Sequence, residues 1–273
     1  MTKHEHEEAA ERPVSIGNAD PELAPGREGG RIALIRGQEK AYHDDCYRNH
    51  RLFAPGSWLH KPVRTVMELF DAFDDREELQ VLDLGCGVGR NSIPIAEKLA
   101  GRRGAVVCVD LLESAIARLT EYGRTYGVES RLRPVLSSIE AFAIEPGGYD
   151  FIIAVSTLEH LCSRSALDAK LGDMVRGTRA GGIVCVIAGT GNTETDVLTG
   201  EPLDPMFEIN LPTPDLLALL DGRFAGWDIP MRSVKPLAFD IERNGRAVIL
   251  ATDCVTFAAR NPGGPKGQTP QAD

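Results

Sequence analysis

Between residues 79 and 188 the chain switches repeatedly from short apolar runs to amphipathic stretches, and this alternation constrains its fold more than any other feature. Strand-like runs stand at 81–84, 105–110, 132–136, 151–155 and 183–188. Between them Ile93, Ile95 and Leu99, then Leu112, Ile116 and Leu119, then Leu167, Leu171, Met174 and Val175 recur at spacings that gather them on one face of a helix. Strands joined by crossover helices run parallel, so the expectation is a doubly wound α/β unit with at least five parallel strands. The end of the chain differs: Asn244-Gly245 is a two-residue turn signal between β-rich runs at 233–241 and 247–259, which predicts a terminal antiparallel hairpin.

On either side of this unit the pattern changes. Residues 1–36 are polar, acidic and broken by Pro and Gly, and read as a disordered tail in which His4 and His6 more often mean nothing than bind metal. Residues 37–78 read as a helical cover: two helices are expected between Gln38 and Phe73, the second carrying Val63, Val66, Met67, Phe70 and Phe73 on one face. The turn-rich connection at 53–62 holds Trp58 and His60 and is a candidate wall of an active site. The main domain is expected over 79–260, followed by a flexible tail over 261–273.

Charge and cysteine usage narrow the functional classes. A formal net charge of -10 disfavours nucleic-acid partners, which are held by clustered Lys and Arg. Six scattered cysteines without a CxxC pair read as reduced thiols of a cytoplasmic protein, and neither an export signal nor a membrane span is expected. Either a monomer or a homodimer is compatible with this composition.

The chemistry-bearing stretch is Asp83-Leu84-Gly85-Cys86-Gly87-Val88-Gly89-Arg90-Asn91, which leads from the first strand of the alternation into a helix. Glycines at alternate positions let the backbone turn sharply and approach a ligand, at the strand end where open α/β sheets bind theirs. A dinucleotide loop would need a third glycine at position 90, where Arg90 stands, and the carboxylate of Asp83 would repel a pyrophosphate. Asp83 suits a cationic ligand instead. Asp110 ends the second strand, where its two oxygens can accept both hydroxyls of a ribose; capping of the next helix is the competing role.

Together these residues resemble the class I S-adenosylmethionine-dependent methyltransferases of small-molecule type, similar to the ubiquinone-pathway and tellurite-resistance enzymes, over roughly residues 79–260. The resemblance implies a Rossmann-like, mostly parallel seven-stranded sheet with S-adenosylmethionine as methyl donor and S-adenosylhomocysteine as product. It places Gly85, Cys86, Gly87, Gly89 and Asn91 under the methionine part, Asp83 near its charged centre, Asp110 on the ribose and Leu111 on adenine. Ser138 stands where the family usually has an acid, so the adenine amino group would meet its hydroxyl or a backbone carbonyl, with Ile139 over the ring. Val155 and the polar residues after it would border the transferable methyl.

Methyl transfer is an in-line displacement that mainly demands alignment and exclusion of water. For a phenol or hydroxyl acceptor a general base helps, and His160 is the catalytic candidate, with packing as its alternative role. Ser156 replaces the first acid of the E-x-x-E-H metal set, so no metal is expected. The segment 189–212 is long for a structureless connection and reads as part of a lid, with Phe207 and Asn210 as substrate contacts. Its acids suit either a cationic acceptor or a solvated loop. The expected function is methyl transfer to O, N or S of a small molecule; a peptide or protein acceptor, or a binding module that has lost transfer, are the alternatives.

Overall fold

The computed structural model describes residues 28–243 and 245–263. Seven strands, β1 (Glu78–Leu84), β2 (Arg103–Asp110), β3 (Leu132–Leu136), β4 (Tyr149–Val155), β5 (Thr178–Asp196), β7 (Asp228–Arg243) and β8 (Arg246–Arg260), form one sheet in the order β3-β2-β1-β4-β5-β8-β7. A two-residue strand, β6 (Pro202–Leu203), pairs with the far end of β5. The first five strands are parallel, and β8 and β7 close the sheet antiparallel, as the alternation and the Asn244-Gly245 signal predict.

Period-two alternation within the strands divides the core into two layers. Val81, Val106, Cys108, Phe151 and Ile153 pack under the helices α2 (Arg64–Phe70), α3 (Ser92–Lys98) and α4 (Glu113–Thr125). Leu82, Leu84, Val109, Ile152 and Ala154 pack under α5 (Arg164–Gly177) and α6 (Thr213–Arg223). Helix starts follow local chemistry: Ser163 Oγ accepts the amide of Ala166 at 3.1 Å to begin α5, and Pro214 occupies the first turn of α6, where its missing N–H costs nothing. Among the described residues no helix is long and apolar enough to cross a membrane. All six cysteines are free thiols.

Several boundaries differ from the sequence expectation. Residues 28–36, placed in the disordered tail, are the first part of α1 (Glu28–Asn49), a 22-residue helix that lies against α4 and the site. Residues 1–27, including His4 and His6, lie outside the described residues, as do 264–273. The segment expected as a loop from Gly189 is strand as far as Asp196, and both strands of the hairpin are longer than predicted. Thr190, Asn192, Glu194 and Asp196 form the buried face of that extension, so hydropathy alone ends the strand at 188 although the ladder to β8 continues.

Candidate active site

At the carboxyl ends of β1 and β2 the glycine loop is held by backbone bonds: the N–H groups of Gly85 and Cys86 both donate to the carbonyl of Val109, at 2.8 and 3.0 Å. Gly85, at φ 73°, passes so close beneath Thr157 that a Cβ there would collide with the threonine hydroxyl and lie 2.7 Å from its Cβ. Gly87, at φ 52°, faces Tyr47 of α1, whose phenol oxygen would be 3.2 Å from an added Cβ. Gly89 serves packing, since a Cβ there would meet Leu119 and Ile93 side chains at 2.6 and 2.9 Å. The loop is a bare backbone shelf roofed by Tyr47 and Thr157.

Both strand-end carboxylates are buried, and their surroundings differ. Asp110 accepts the N–H of Gly87 at 2.8 Å on one oxygen and that of Leu112 at 2.9 Å on the other, so it fixes the shelf as well as offering its remaining lone pairs outward. Burial raises its pKa against those bonds. Asp83 is 1% exposed and accepts one hydrogen bond, from Ser92 Oγ at 2.6 Å. Burial, opposed by that bond and reinforced by Asp110, pushes its pKa up to about 6. A buried carboxylate with so little compensation favours either a proton or a cationic ligand beside it.

The other residues expected at the cofactor take several positions. Leu111 is exposed beside the shelf and Ile139 is buried. Ser138 Oγ accepts the amide of Ala141 at 3.1 Å, the capping alternative. Asn91 Oδ1 accepts the amide of Val63 at 3.0 Å and ties the helical cover to the loop; the Cys86 thiol is buried and turned onto the Gly87 carbonyl. Val155 ends β4, and the next residue, Ser156, has φ 49°, a left-handed conformation uncommon outside glycine that turns the chain sharply into Thr157.

Beyond that turn a cluster of polar side chains, the chamber, forms where α1, the 3-10 turn Leu158–His160, the β5 extension and the segment 204–211 meet. His160 Nδ1 lies 3.0 Å from Glu208 Oε2, and its ring stacks on Phe207 with centroids 6.2 Å apart. Burial alone would lower the His160 pKa, but the Glu208 hydrogen bond and the charges of Glu39, Glu159 and Glu208 outweigh it and raise the value to about 9. At neutral pH the ring is therefore charged, and the base role expected from sequence is available only as pH approaches that value. Arg36 lies 3.5 Å from the other oxygen of Glu208, and Arg31 binds Asp204 and the carbonyls of Pro205 and Phe207, so α1 is strapped across the chamber.

On the inner face of α1, Glu39, His43 and Tyr47 stand at successive four-residue intervals. Burial lowers the His43 pKa, against the charge of Glu39; Asp110 and His160 both act on it, which places it between shelf and chamber. Its buried Nδ1 has no hydrogen-bond partner. Opposite, Glu159 is 8% exposed: one oxygen accepts the amide of Gly189 at 3.2 Å, and the other is buried and unpartnered.

Of the expected acceptor contacts, Phe207 reaches the chamber beside His160, whereas the others are engaged elsewhere. Trp58 packs on His43, Tyr47 and the Arg90 guanidinium, and His60 is exposed, its Nδ1 2.9 Å from the Ser57 carbonyl. Asn210 gives its amide to Asn192, donating to the Asn192 carbonyl at 2.8 Å and accepting from the Asn192 N–H at 2.8 Å. The acids of the 189–212 segment are largely spent on structure: Glu194 pairs with Arg243 at 3.1 Å, and Asp196 accepts the amides of Leu198 and Thr199. Sequence reasoning placed Ser156, Thr157 and Glu159 only among the polar residues after Val155 and missed Glu208 and Glu39 as site residues; the four-residue spacing along α1 was the one available signal for Glu39.

Residues 81–182 match a family model described as a methyltransferase domain. The chain is 30% identical over 104 residues to a ubiquinone biosynthesis O-methyltransferase of Rickettsia canadensis, covering 37% of this chain and 41% of that one. It is 26% identical over 122 residues to a carboxy-S-adenosyl-L-methionine synthase of Shewanella oneidensis, covering 45% and 49%. The chain thus spans less than half the length of these curated relatives. Among solved structures, TehB from Haemophilus influenzae superposes with a TM-score of 0.54 at 21% identity, covering 80% of this chain and 66% of TehB. Residues 81–182 are thus similar to the methyltransferase domain family, and the fold around them is the Rossmann-like one that TehB shares.

Proposed function

We propose that the chain transfers a methyl group from S-adenosylmethionine to a small-molecule acceptor. The observation that carries this reading is the pairing of a side-chain-free shelf at Gly85 and Gly87 with two buried carboxylates, Asp83 and Asp110, on adjacent strand ends. A sulfonium nucleoside with a free diol and an ammonium group fits that donor set, and a pyrophosphate does not. When bound, it supplies an electrophilic methyl on a cationic sulfur.

The chain's own residues then bind, orient and exclude water. Asp110 accepts from the diol while its grip on the Gly87 amide keeps the shelf in place. Asp83 offers its charge to the cationic part, and Leu111 offers an exposed apolar surface to the base. Tyr47, His43 and Thr157 close the roof, so the chamber beside His160 receives the acceptor away from bulk solvent. Free thiols at all six cysteines support a reducing, cytoplasmic setting, and the net charge of -10 favours a metabolite over a nucleic acid.

The test is release of S-adenosylhomocysteine from the full chain given S-adenosylmethionine and a mixed panel of amines, phenols, thiols and carboxylates. Acceptor-dependent release in the wild type that Asp110→Ala removes supports the reading. Release that is independent of any acceptor, or that Asp110→Ala leaves intact, contradicts it.

A further inference from the structure

A hydroxyl acceptor must lose its proton as the methyl arrives, and the group that takes it needs a free lone pair at neutral pH. The charged ring of His160 has none. A second imidazole, His43, stands on the inner face of α1 one turn from Tyr47, whose phenol faces Gly87 of the shelf. Tyr42, Tyr47 and Trp58 wall it, with ring centroids 5.3, 5.6 and 6.0 Å from its own. The three rings hold the imidazole in place and shield it from water.

The two nitrogens of His43 have different surroundings. Nδ1 is sealed in the protein without a partner, whereas the side chain as a whole keeps 28% of its surface open, so Nε2 is the nitrogen that an arriving group can meet. Nε2 lies 3.6 Å from Glu39 Oε2, one turn back along α1. That separation is too long for a hydrogen bond, so no bond ties up the Nε2 lone pair, yet it is short enough for the carboxylate to steady a positive charge on the ring. Burial holds the His43 pKa below its ordinary 6.5; Glu39 pulls it upward, the charge of His160 adds to the downward push, and Asp110 and Asp44 pull upward again. His160 is driven the other way against its own burial, first by the Glu208 hydrogen bond. Environments that separate two imidazoles in this manner leave one to hold charge and the other to accept a proton.

Resting on the methyltransferase reading above, we propose that His43 is the general base of the reaction, with Nε2 taking the proton of a hydroxyl acceptor and Glu39 acting as a positioning residue. An oxygen lone pair forms the new O–C bond as the methyl–sulfur bond breaks, and that bond's electron pair stays on sulfur. The hydroxyl proton moves to Nε2, and the imidazolium so formed, steadied by Glu39, returns it to solvent from its open side. His160 keeps its charge throughout and keeps His43 neutral beforehand.

The test uses the full chain with S-adenosylmethionine and a hydroxyl panel in which benzyl alcohol and p-cresol keep their proton at neutral pH and pentafluorophenol has already lost it. His43→Gln is expected to slow methylation of p-cresol by roughly a hundred-fold more than methylation of pentafluorophenol. In the unliganded chain, proton NMR should show the His43 ring titrating below 6.5, and lower still in Glu39→Gln, where the upward pull of the carboxylate is gone. The rising limb of kcat against pH should shift the same way in Glu39→Gln and vanish in His43→Gln. Thermal melts identify a variant that fails to fold; if His43→Gln does, the shift in Glu39→Gln decides. An equal loss on both phenols, a limb that survives His43→Gln or stays in place in Glu39→Gln, or no methylation of any hydroxyl in the panel overturns the proposal. Failure of the wild type to bind S-adenosylhomocysteine at all overturns the underlying reading instead.

Discussion

Glu208 Oε2 lies 3.0 Å from Nδ1 of His160, and this contact is the largest of the influences that raise the pKa of the ring. The carboxylate is almost fully buried, whereas the imidazole keeps about a quarter of its surface exposed, at 28%. Glu208→Gln should drop the His160 pKa from about 9 toward its ordinary 6.5, which proton NMR of the ring can follow directly. The folded-state value is raised, so its stabilisation is complete below pH 6.5 and is lost as pH climbs through 9. The wild type should lose on the order of 3 kcal/mol across that window, and Glu208→Gln should lose less. A chemical-denaturation series at fixed pH steps reads both.

Asp83 makes the opposite demand on a ligand. Its pKa, pushed up to about 6 by burial, means that near that pH much of the empty site carries a proton there. A cationic ligand would favour the carboxylate, so binding of S-adenosylmethionine at pH 6 should release protons, seen as a dependence of the calorimetric enthalpy on buffer ionisation. In the unliganded protein, stability from this group falls as pH rises from 3.8 to about 6, and Asp83→Asn should remove that dependence while weakening binding.

The shelf tolerates no side chain, for two separable reasons. Gly85→Ala meets Thr157 and adopts a left-handed conformation, and should cost about 2–4 kcal/mol of stability. Gly87→Ala carries the same backbone strain with a softer contact to Tyr47, and should cost about 1–2 kcal/mol while abolishing cofactor binding. Adding Tyr47→Phe to Gly87→Ala should relieve the contact without restoring binding. Thermal melts with and without S-adenosylhomocysteine separate the two effects.

Much of the fold was legible because periodicity reports burial directly. The five parallel strands alternate or run fully apolar, and Asn244-Gly245 announces the hairpin. The β5 extension was illegible because its buried face is Thr190, Asn192, Glu194 and Asp196, polar residues paid for by Asn210, Arg243 and local turns rather than by apolar contact. The first part of α1 was illegible for a similar reason: Arg31 and Arg36 hold it to acids more than 170 positions away, and no local pattern encodes such a partner. At the site, the loop, Asp83 and Asp110 follow from spacing, whereas Glu159 and Glu208 come together only through tertiary packing.

Arg31 and Arg36 fasten α1 over the chamber through mostly exposed contacts. Arg31→Ala should therefore change global stability by less than about 1 kcal/mol. It should still speed amide hydrogen exchange across α1 and raise the acceptor KM more than it lowers kcat, because the roof opens while the shelf stays intact.

The most direct test of the account is calorimetric titration of the wild type and Asp110→Ala with S-adenosylmethionine, S-adenosylhomocysteine and NAD. The account predicts micromolar binding of the first two by the wild type, none of NAD, and at least roughly a hundred-fold loss in Asp110→Ala, as expected when charge-assisted hydrogen bonds to a diol are removed. Tight binding of NAD, or unchanged binding of S-adenosylmethionine by Asp110→Ala, would contradict it.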